Sequence, residues 1–258
     1  MATLRERLVS ETLISSWSGI PDPLTVELLA AQDYDAVTLD MQHGGHDEAS
    51  ILRSLPVITG QNKHALVRIP VGRFDMASRA LDFGAEAVIA PMINTVADAQ
   101  AFAAAMKYPP LGERSWGPTF AAGRATSPSS AQAWLEEANA GTLAIAMIET
   151  RRALDVLDDI LKVDGIDAIL VGPSDFSIAW SNGETIDPSL EDMMTAIEAI
   201  ARRTRAAGKL AAIFVVDPAL CGRYQAMGFR LMACGTDSSL MRAGAELTLS
   251  AIKTALTK

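Results

Sequence analysis

The chain has 258 residues, of which 49% are hydrophobic and 21% charged, a composition that suits one soluble domain with a full core. Its formal net charge of −9 argues against a nucleic-acid partner or an anionic membrane surface. No apolar run approaches the ~20 residues of a membrane helix, and the charged N-terminus lacks a signal core. Two cysteines make no disulfide framework, so we expect a cytoplasmic protein.

Eight apolar runs, typical of buried parallel strands, recur along the chain. They span residues 13–17, 36–39, 65–69, 87–91, 143–148, 168–171, 210–216 and 229–233. Helical patterns separate most of them, including residues 73–83, 95–107 and 188–207, and a long helix is predicted from Ser238 onward. Regular alternation at this length predicts a (β/α)8 TIM barrel that occupies residues 1–258 as one domain. The alternative is an open doubly wound sheet, but no G-x-G-x-x-G motif follows the first run.

Polar residues follow several of the predicted strands at their C-terminal ends, where such barrels carry their active sites. Asp40 and His43 follow the second run, and Arg68 lies near the end of the third. Glu149 ends the fifth run, and Asp175 follows the sixth after a short turn. Because neighbouring strands lie about 4.8 Å apart, these last two carboxylates can share one hard divalent cation. Such a site keeps open positions for a substrate, as catalytic metal sites do.

Each of these residues also has a purely structural interpretation. Glu149 could be the N-cap of the next helix, and His43 could cap a turn. Arg68 could form a structural salt bridge instead of contacting a substrate. Asp82 lies in the last turn of a predicted helix, where its charge opposes the helix dipole, so a surface position is its default. The joint pattern of Glu149 with Asp175 favours a metal site over helix capping.

The other basic side chains are placed away from the predicted mouth of the barrel. His64 precedes its strand, at the opposite rim, and His46 is expected to be solvated in its loop. The lysines precede strands, lie near helix ends or belong to the C-terminal helix, at positions 63, 107, 162, 209, 253 and 258. Covalent imine catalysis is therefore disfavoured, and metal-assisted carbonyl chemistry is favoured. The longest irregular stretch, residues 108–130, is expected to be a functional loop.

Six segments of the chain together resemble a known family. They are L-D-M-Q-H-G at 39–44, V-R at 67–68, A-P-M at 90–92, Y-P-P-L-G-E-R at 108–114, M-I-E-T-R at 147–151 and G-I-D-A-I-L-V-G-P-S-D at 165–175. The family is that of the class II pyruvate aldolases (HpcH/HpaI), which includes 4-hydroxy-2-oxoheptanedioate aldolase, 2-keto-3-deoxy-sugar-acid aldolases and macrophomate synthase. The resemblance implies a (β/α)8 barrel that adds the enolate of pyruvate reversibly to aldehydes, with Mg²⁺, Mn²⁺ or Co²⁺. It also implies a C-terminal helix exchanged between subunits and a homohexamer.

The resemblance implies a role for each matching acidic or basic residue of the site. Glu149 and Asp175 match the family's metal ligands. His43 matches its general base, and Asp40 and Asp82 match acidic residues that support that histidine. The substrates implied are small molecules, namely pyruvate or a related 2-oxo acid and an aldehyde.

The predicted substrate-binding residues are Arg68, Gly172, Pro173, Ser174, Gln42 and Trp17. Arg68 matches the arginine that reaches the keto oxygen of the substrate. The turn that begins at Gly172 matches the segment that receives the pyruvate carboxylate; Pro173 has no N–H, so the amides of Ser174 and Asp175 would be the donors. Two departures leave the acceptor preference open: Gln42 stands where many members have glutamate, and residues 114–117 read R-S-W-G where the family often has R-G-x-G.

Two other kinds of function remain as alternatives. One is another enolate-forming lyase on the same site, such as a coenzyme A thioester lyase or an oxaloacetate decarboxylase. The sequence shows no basic cluster near the mouth for the phosphates of coenzyme A, whereas decarboxylation needs only the metal and Arg68. The second is a non-catalytic barrel that binds a keto acid.

Overall fold

The computed structural model describes residues 2–124 and 130–257. Eight parallel strands form a closed barrel in which each strand pairs with its neighbours in sequence and the last pairs with the first. The strands are β1 (Leu13–Ser18), β2 (Ala36–Asp40), β3 (His64–Arg68), β4 (Ala87–Ala90), β5 (Leu143–Ile148), β6 (Ala168–Val171), β7 (Leu210–Val215) and β8 (Leu231–Thr236). This closure confirms the predicted (β/α)8 barrel and excludes the open doubly wound sheet.

Helices connect the strands and surround the barrel. They are α1 (Leu4–Ser10), α2 (Pro23–Ala30), α3 (Glu48–Gly60), α4 (Asp75–Phe83), α5 (Val96–Met106), α6 (Thr119–Arg124), α7 (Ala131–Gly141), α8 (Arg151–Asp155), α9 (Leu157–Ile160), α10 (Pro173–Trp180), α11 (Glu191–Ala206), α12 (Cys221–Met227) and α13 (Asp237–Leu256), with a 3-10 helix at Pro218–Leu220. The long loop predicted at 108–130 contains α6, and its residues 125–129 lie outside the described residues. The predicted start of the last helix at Ser238 is wrong, because the hydroxyl of Thr236 caps the helix by accepting from the N–H of Ser239.

Side chains of each strand point alternately into the barrel and outward against the helices. One cluster of buried residues, with Trp17, Leu66 and Met147 among them, fills the interior. A second cluster, with Val67 and Ile148 among them, joins the outer faces of the strands to the helices. The same alternation by two residues carries Asp40, Arg68 and Glu149 to the C-terminal mouth on the interior side.

The last helix, α13, differs from the others because it has almost no buried surface. Asp237 is its only buried residue, and every described residue that follows is exposed. Its exposed apolar side chains are Leu240, Met241, Leu247, Leu249, Ile252 and Leu256. Among the described residues, no helix combines the length and apolar character needed to cross a membrane.

Candidate active site

A buried ion pair lies at the mouth, at the C-terminal ends of two neighbouring strands. Asp40 ends β2 and Arg68 ends β3, and the two residues are paired in the sheet. The guanidinium of Arg68 donates from Nε to Oδ1 at 2.8 Å and from Nη2 to Oδ2 at 2.6 Å. Burial alone would raise the pKa of Asp40, but the hydrogen bonds and charge of Arg68 hold it below its ordinary value. Arg68 therefore forms a salt bridge with Asp40, and this pair leaves its Nη1 without a recorded partner in the described part of the chain.

Aromatic side chains from opposite ends of the sequence form the wall beside this pair. The indole N–H of Trp17 donates to Oδ2 of Asp40 at 3.1 Å. The Cζ of Arg68 lies 4.9 Å from the centre of the Trp17 ring, a cation–π distance. Phe214 of β7 meets the same indole edge to face, with ring centres 5.1 Å apart. Trp17 thus orients the ion pair and closes one side of the mouth, in the region where the sequence predicted substrate binding.

Glu149 follows β5 directly and its carboxylate is buried, with only 3% of the residue exposed. Its Oε2 accepts a hydrogen bond from the main-chain N–H of Met92 at 2.9 Å. The helix-capping interpretation of Glu149 is wrong, because Thr150 is the N-cap of α8 and accepts from the N–H of Ala153. Burial and the nearby charge of Asp175 raise the pKa of Glu149 to about 7, although the Met92 amide and Arg68 oppose them.

The turn after β6 brings the second carboxylate and two free amides to the same place. Gly172 leaves room for the carboxylate here, since a Cβ on it would lie 2.5 Å from Oε1 of Glu149 and would force that side chain to move. Helix α10 begins directly afterwards with Pro173, and no side chain caps its N-terminus. No hydrogen bond is recorded for the amides of Ser174 and Asp175 in the described part of the protein, so they are available to an anion. The structure therefore brings together Glu149, Asp175 and a set of unpaired donors.

The pair of carboxylates fits a divalent cation. Glu149 is buried and Asp175 is exposed, and the charge of Asp175 reaches Glu149, since it raises the pKa of that carboxyl. A cation between the two acids removes this repulsion. Oε1 of Glu149 has no hydrogen-bond donor among the described residues. No group of three or more His, Cys, Asp or Glu side chains in the described part could hold a metal ion, so a closed all-protein site is absent there. Oxygen ligands of this kind suit Mg²⁺ or Mn²⁺, with coordination positions left for a substrate.

His43 and Gln42 lie in the loop that follows β2. The main-chain N–H of Gln42 donates to Oδ1 of Asp40 at 2.9 Å, and that of His43 approaches the same oxygen at 3.4 Å. His43 is exposed, and its ring has no recorded partner among the described residues. Oε1 of Gln42 is buried and also lacks a partner there. Asp40 thus holds the backbone of this loop and not the imidazole that it was predicted to support.

Asp82 does not join these residues within the chain. It lies in the last turn of α4, a helix that runs back from the mouth and ends shortly before the start of β4. Its Oδ1 accepts from Nη2 of Arg114 at 2.7 Å, and Arg114 packs over the ring of Tyr108. Because helices of such a barrel run antiparallel to the strands, this position is at the opposite rim. The structure therefore gives no support from this chain alone for Asp82 as a partner of His43.

The structure gives three further residues contacts at the site that the sequence did not predict. Met92 holds Glu149 through its amide, from a left-handed backbone with φ of 54°, which is unusual without glycine. His46 was predicted to be solvated, but only 5% of it is exposed, and burial lowers its pKa against the opposing charges of nearby acids, Asp237 foremost. Asp237 is buried as well. No sequence signal could have shown these contacts, since each depends on how separate loops meet.

The lysines that the structure describes stay away from the mouth, as predicted. Lys107 is buried and pairs with Asp167 at 2.8 Å, and Lys209 donates to the main-chain oxygens of Val163 and Ile166. The remaining described lysines precede β3, lie beside Asp159 on the surface or belong to α13. No described lysine is therefore placed to form an imine with a substrate held at the mouth.

Comparison with known proteins gives the family. A family model described as HpcH/HpaI aldolase/citrate lyase matches residues 14–243. The chain belongs to the HpcH/HpaI aldolase/citrate lyase family. It is 35% identical over 253 residues to a hydroxypyruvate/pyruvate aldolase of Roseovarius nubinhibens, an alignment that covers 98% of this chain and 97% of that one. It is 32% identical to a 2-keto-3-deoxy-L-rhamnonate aldolase of Klebsiella pneumoniae, with 96% and 92% covered.

A solved structure of this HpcH/HpaI family has the same fold. The crystal structure of a family protein from Burkholderia cenocepacia superimposes with a TM-score of 0.85 at 27% identity, covering 97% of this chain and 98% of that one. The family and the enzyme class predicted from the sequence, a carbon–carbon lyase of the aldolase type, are thereby confirmed. The roles of the individual site residues remain predictions.

Proposed function

We propose that the protein is a metal-dependent aldolase that cleaves 4-hydroxy-2-oxo acids reversibly into pyruvate, or a close 2-oxo acid, and an aldehyde. The observation that carries the proposal is the buried carboxylate of Glu149, which faces a second acid, Asp175, beside the Arg68–Asp40 pair. At this mouth, the carboxylates of Glu149 and Asp175 can attract a cation. The guanidinium of Arg68 can attract a carbonyl oxygen. The absence of a described lysine there supports metal-assisted over imine chemistry.

Glu149 and Asp175 would hold the divalent ion. When bound there, the ion would polarise the keto oxygen of the substrate and lower the energy of the enolate by several kcal/mol. The free amides of Ser174 and Asp175 would bind the substrate carboxylate at the N-terminus of α10. Arg68, held rigid by Asp40 and Trp17, would direct Nη1 at the keto oxygen, where the charge develops in the transition state.

His43 would act as the base. In the cleavage direction its imidazole takes the proton of the C4 hydroxyl, the C3–C4 bond breaks, and the electron pair moves onto the C2 oxygen as the enolate of the 2-oxo acid. The same imidazole can return a proton to C3 after the aldehyde leaves. The exposed position of His43 at the mouth is compatible with this exchange of protons.

Removal of divalent metal should abolish retro-aldol activity, and Mg²⁺, Mn²⁺ or Co²⁺ should restore it, because Glu149 and Asp175 alone do not stabilise the enolate. The measurement is pyruvate release from a 4-hydroxy-2-oxo acid before and after exhaustive chelation. As a control, borohydride with pyruvate should leave the enzyme active, since no described lysine is placed to form an imine. Full turnover in metal-free protein, or a reduced pyruvyl–lysine adduct, would contradict the proposal.

His43→Ala should lower aldol turnover by roughly 10²–10⁴, the range for a lost acid–base group, with 2-oxo acid binding largely kept. Decarboxylation of oxaloacetate needs no proton from a C4 hydroxyl, so the same variant should keep most of that side activity. The measurement is the rate of aldol cleavage and the rate of oxaloacetate decarboxylation, both in the wild type and in the variant. If His43→Ala retains wild-type aldol turnover, the base is another group.

We also propose that α13 packs on a second copy of the chain in a homo-oligomer, which the family resemblance implies to be a hexamer. The support is its 20-residue length with six exposed large apolar side chains, an area that a lone chain would leave in water. Light scattering on the full chain tests this directly. A particle with the mass of one chain at all concentrations would refute it.

A further inference from the structure

The first turn of α13 is attached to the loop after β1 through a single buried carboxylate. Oδ2 of Asp237 accepts from the main-chain N–H groups of Gly19 and Ile20, both at 2.8 Å, and from the hydroxyl of Ser18 at 3.2 Å. Its other oxygen accepts from the N–H of Ser238 at 2.7 Å. Only 3% of Asp237 is exposed, in a helix whose remaining described residues are all exposed. Asp237 therefore ties the start of α13, which follows β8 directly, to the loop after β1.

The loop after β1 packs in turn against the loop that carries His43. The N–H of Gly45 donates to the carbonyl oxygen of Gly19 at 2.7 Å. A Cβ on Gly44 would lie 2.4 Å from the carbonyl oxygen of Asp40 and 2.8 Å from the Cα of Gly19. The two backbones thus meet with no room for a side chain, directly beside His43. A shift of Gly19 must be transmitted to that loop, because close-packed backbone cannot absorb it.

His46 forms a second link between the same segments. Its Nε2 lies 3.0 Å from the hydroxyl of Ser18, and its Nδ1 lies 3.0 Å from the hydroxyl of Ser50 in α3. The hydroxyl of Ser18 also lies 3.2 Å from Oδ2 of Asp237, so it links the imidazole to that carboxylate. The ring therefore bridges the start of α3 to the end of β1. His43 is three residues before this anchor.

We propose that Asp237, Ser18 and His46, here called the clasp, are positioning residues that set the place of His43 according to how α13 is seated. The proposal rests on the proposed function, in which His43 is the base. None of the three residues has a recorded hydrogen bond to Glu149, Asp175 or Arg68, so their loss should affect the proton-transfer step most. When α13 lies on a second copy of the chain, its first turn is fixed, and the clasp carries that restraint to the His43 loop. Formation of the oligomer and full turnover are thereby coupled.

Asp237→Ala tests the clasp, with Thr236→Ala as the matched control. Thr236 caps the same helix through its own hydroxyl but has no recorded hydrogen bond to Gly19 or Ile20, so its loss removes one capping hydrogen bond and leaves the contacts of Asp237 in place. Asp237→Ala should lower aldol kcat by roughly 10²-fold, the cost of a displacement of about 1 Å at a reacting group. KM for the 2-oxo acid, Mn²⁺ affinity by calorimetry and oxaloacetate decarboxylation should change less than threefold in both variants. Thr236→Ala should also keep aldol kcat within threefold of wild type.

Two substitutions of His46, one to alanine and one to glutamine, distinguish a positioning role from a role in stability alone. His46→Ala should lose aldol kcat in the same way as Asp237→Ala, whereas His46→Gln should recover most of it, because its amide can hydrogen-bond to Ser18 in place of Nε2. A purely structural role would lower the melting temperature of all these variants and leave kcat of the folded protein unchanged. If Asp237→Ala does not fold, Ser18→Ala, which removes only the bridging hydroxyl, decides the question by the same rates.

The outcomes distinguish this proposal from the proposed function. Wild-type aldol activity that persists at full kcat in folded Asp237→Ala, Ser18→Ala and His46→Ala overturns the clasp and leaves the aldolase intact. Wild-type protein without metal-dependent aldol activity overturns the proposed function. Equal losses in aldol cleavage and oxaloacetate decarboxylation would show that the clasp does not act through His43 and would overturn the inference as well.

Discussion

Arg68→Ala should abolish measurable aldol activity and lower the free energy of unfolding by roughly 3–5 kcal/mol, the cost of leaving one partner of a buried ion pair alone. Asp40, only 3% exposed, would lose donor bonds of 2.8 and 2.6 Å. It would keep only the Trp17 indole and main-chain amides as donors. Urea unfolding monitored by tryptophan fluorescence measures the change.

Matched variants show whether the loss of stability in Arg68→Ala comes from the unpaired, buried charge of Asp40. Asp40→Asn placed on the Arg68→Ala background should restore much of the stability, because it removes the unpaired carboxylate, but no activity. Arg73→Ala breaks a bidentate pair with Asp75 whose side chains are 55% and 66% exposed, and it should change stability by less than about 1 kcal/mol. An Arg68→Ala protein as stable as Arg73→Ala would show that the Asp40 pair does not support the mouth.

Glu149→Gln should abolish aldol activity and at the same time stabilise the metal-free protein above pH 7. Burial and Asp175 raise the pKa of Glu149 from 4.5 to about 7. Between these values the folded state binds more protons than the unfolded state, so stability of the wild type falls as pH rises through this window. The loss is roughly 3 kcal/mol above pH 7, at about 1.4 kcal/mol per pKa unit. Glutamine carries no charge to bury, so the variant escapes this loss.

The measurement is the melting temperature of metal-free protein from pH 4.5 to pH 8. The difference in melting temperature between Glu149→Gln and wild type should be small at pH 4.5 and should reach its maximum above pH 7. Added Mn²⁺ should narrow the gap at pH 8, since it binds the wild-type carboxylate and not the amide. Glu27→Gln, at an exposed position of α2, is the control and should show no pH-dependent gap. A destabilised Glu149→Gln at pH 8 without metal would contradict the burial argument.

Most of the fold and the main site residues could be predicted from the sequence. Strand and helix alternate with clear periods, and a closed eight-stranded parallel barrel is the compact solution for this length. The placement of Asp40, Arg68 and Glu149 inside the mouth follows from the same pattern, because every second residue of a strand points to the interior face.

The contacts between loops could not be predicted, because they depend on how separate segments meet at the mouth. The sequence indicated a salt bridge for Arg68 only as an alternative, and it assigned Asp40 to His43 and not to Arg68. It placed Asp82 among the catalytic residues, although the return path of α4 carries it to the opposite rim beside Arg114.

By itself, then, the sequence determined the barrel, the family and the acid pair of the mouth, since local periodicity and strand-end motifs encode them. The tertiary structure alone decided the burial of His46 and Asp237. It also decided the amide of Met92 on Glu149 and the contact of Gly19 with Gly44. The physical reason is that hydrogen bonds and close packing between loops depend on three-dimensional distances that no local pattern of residues records.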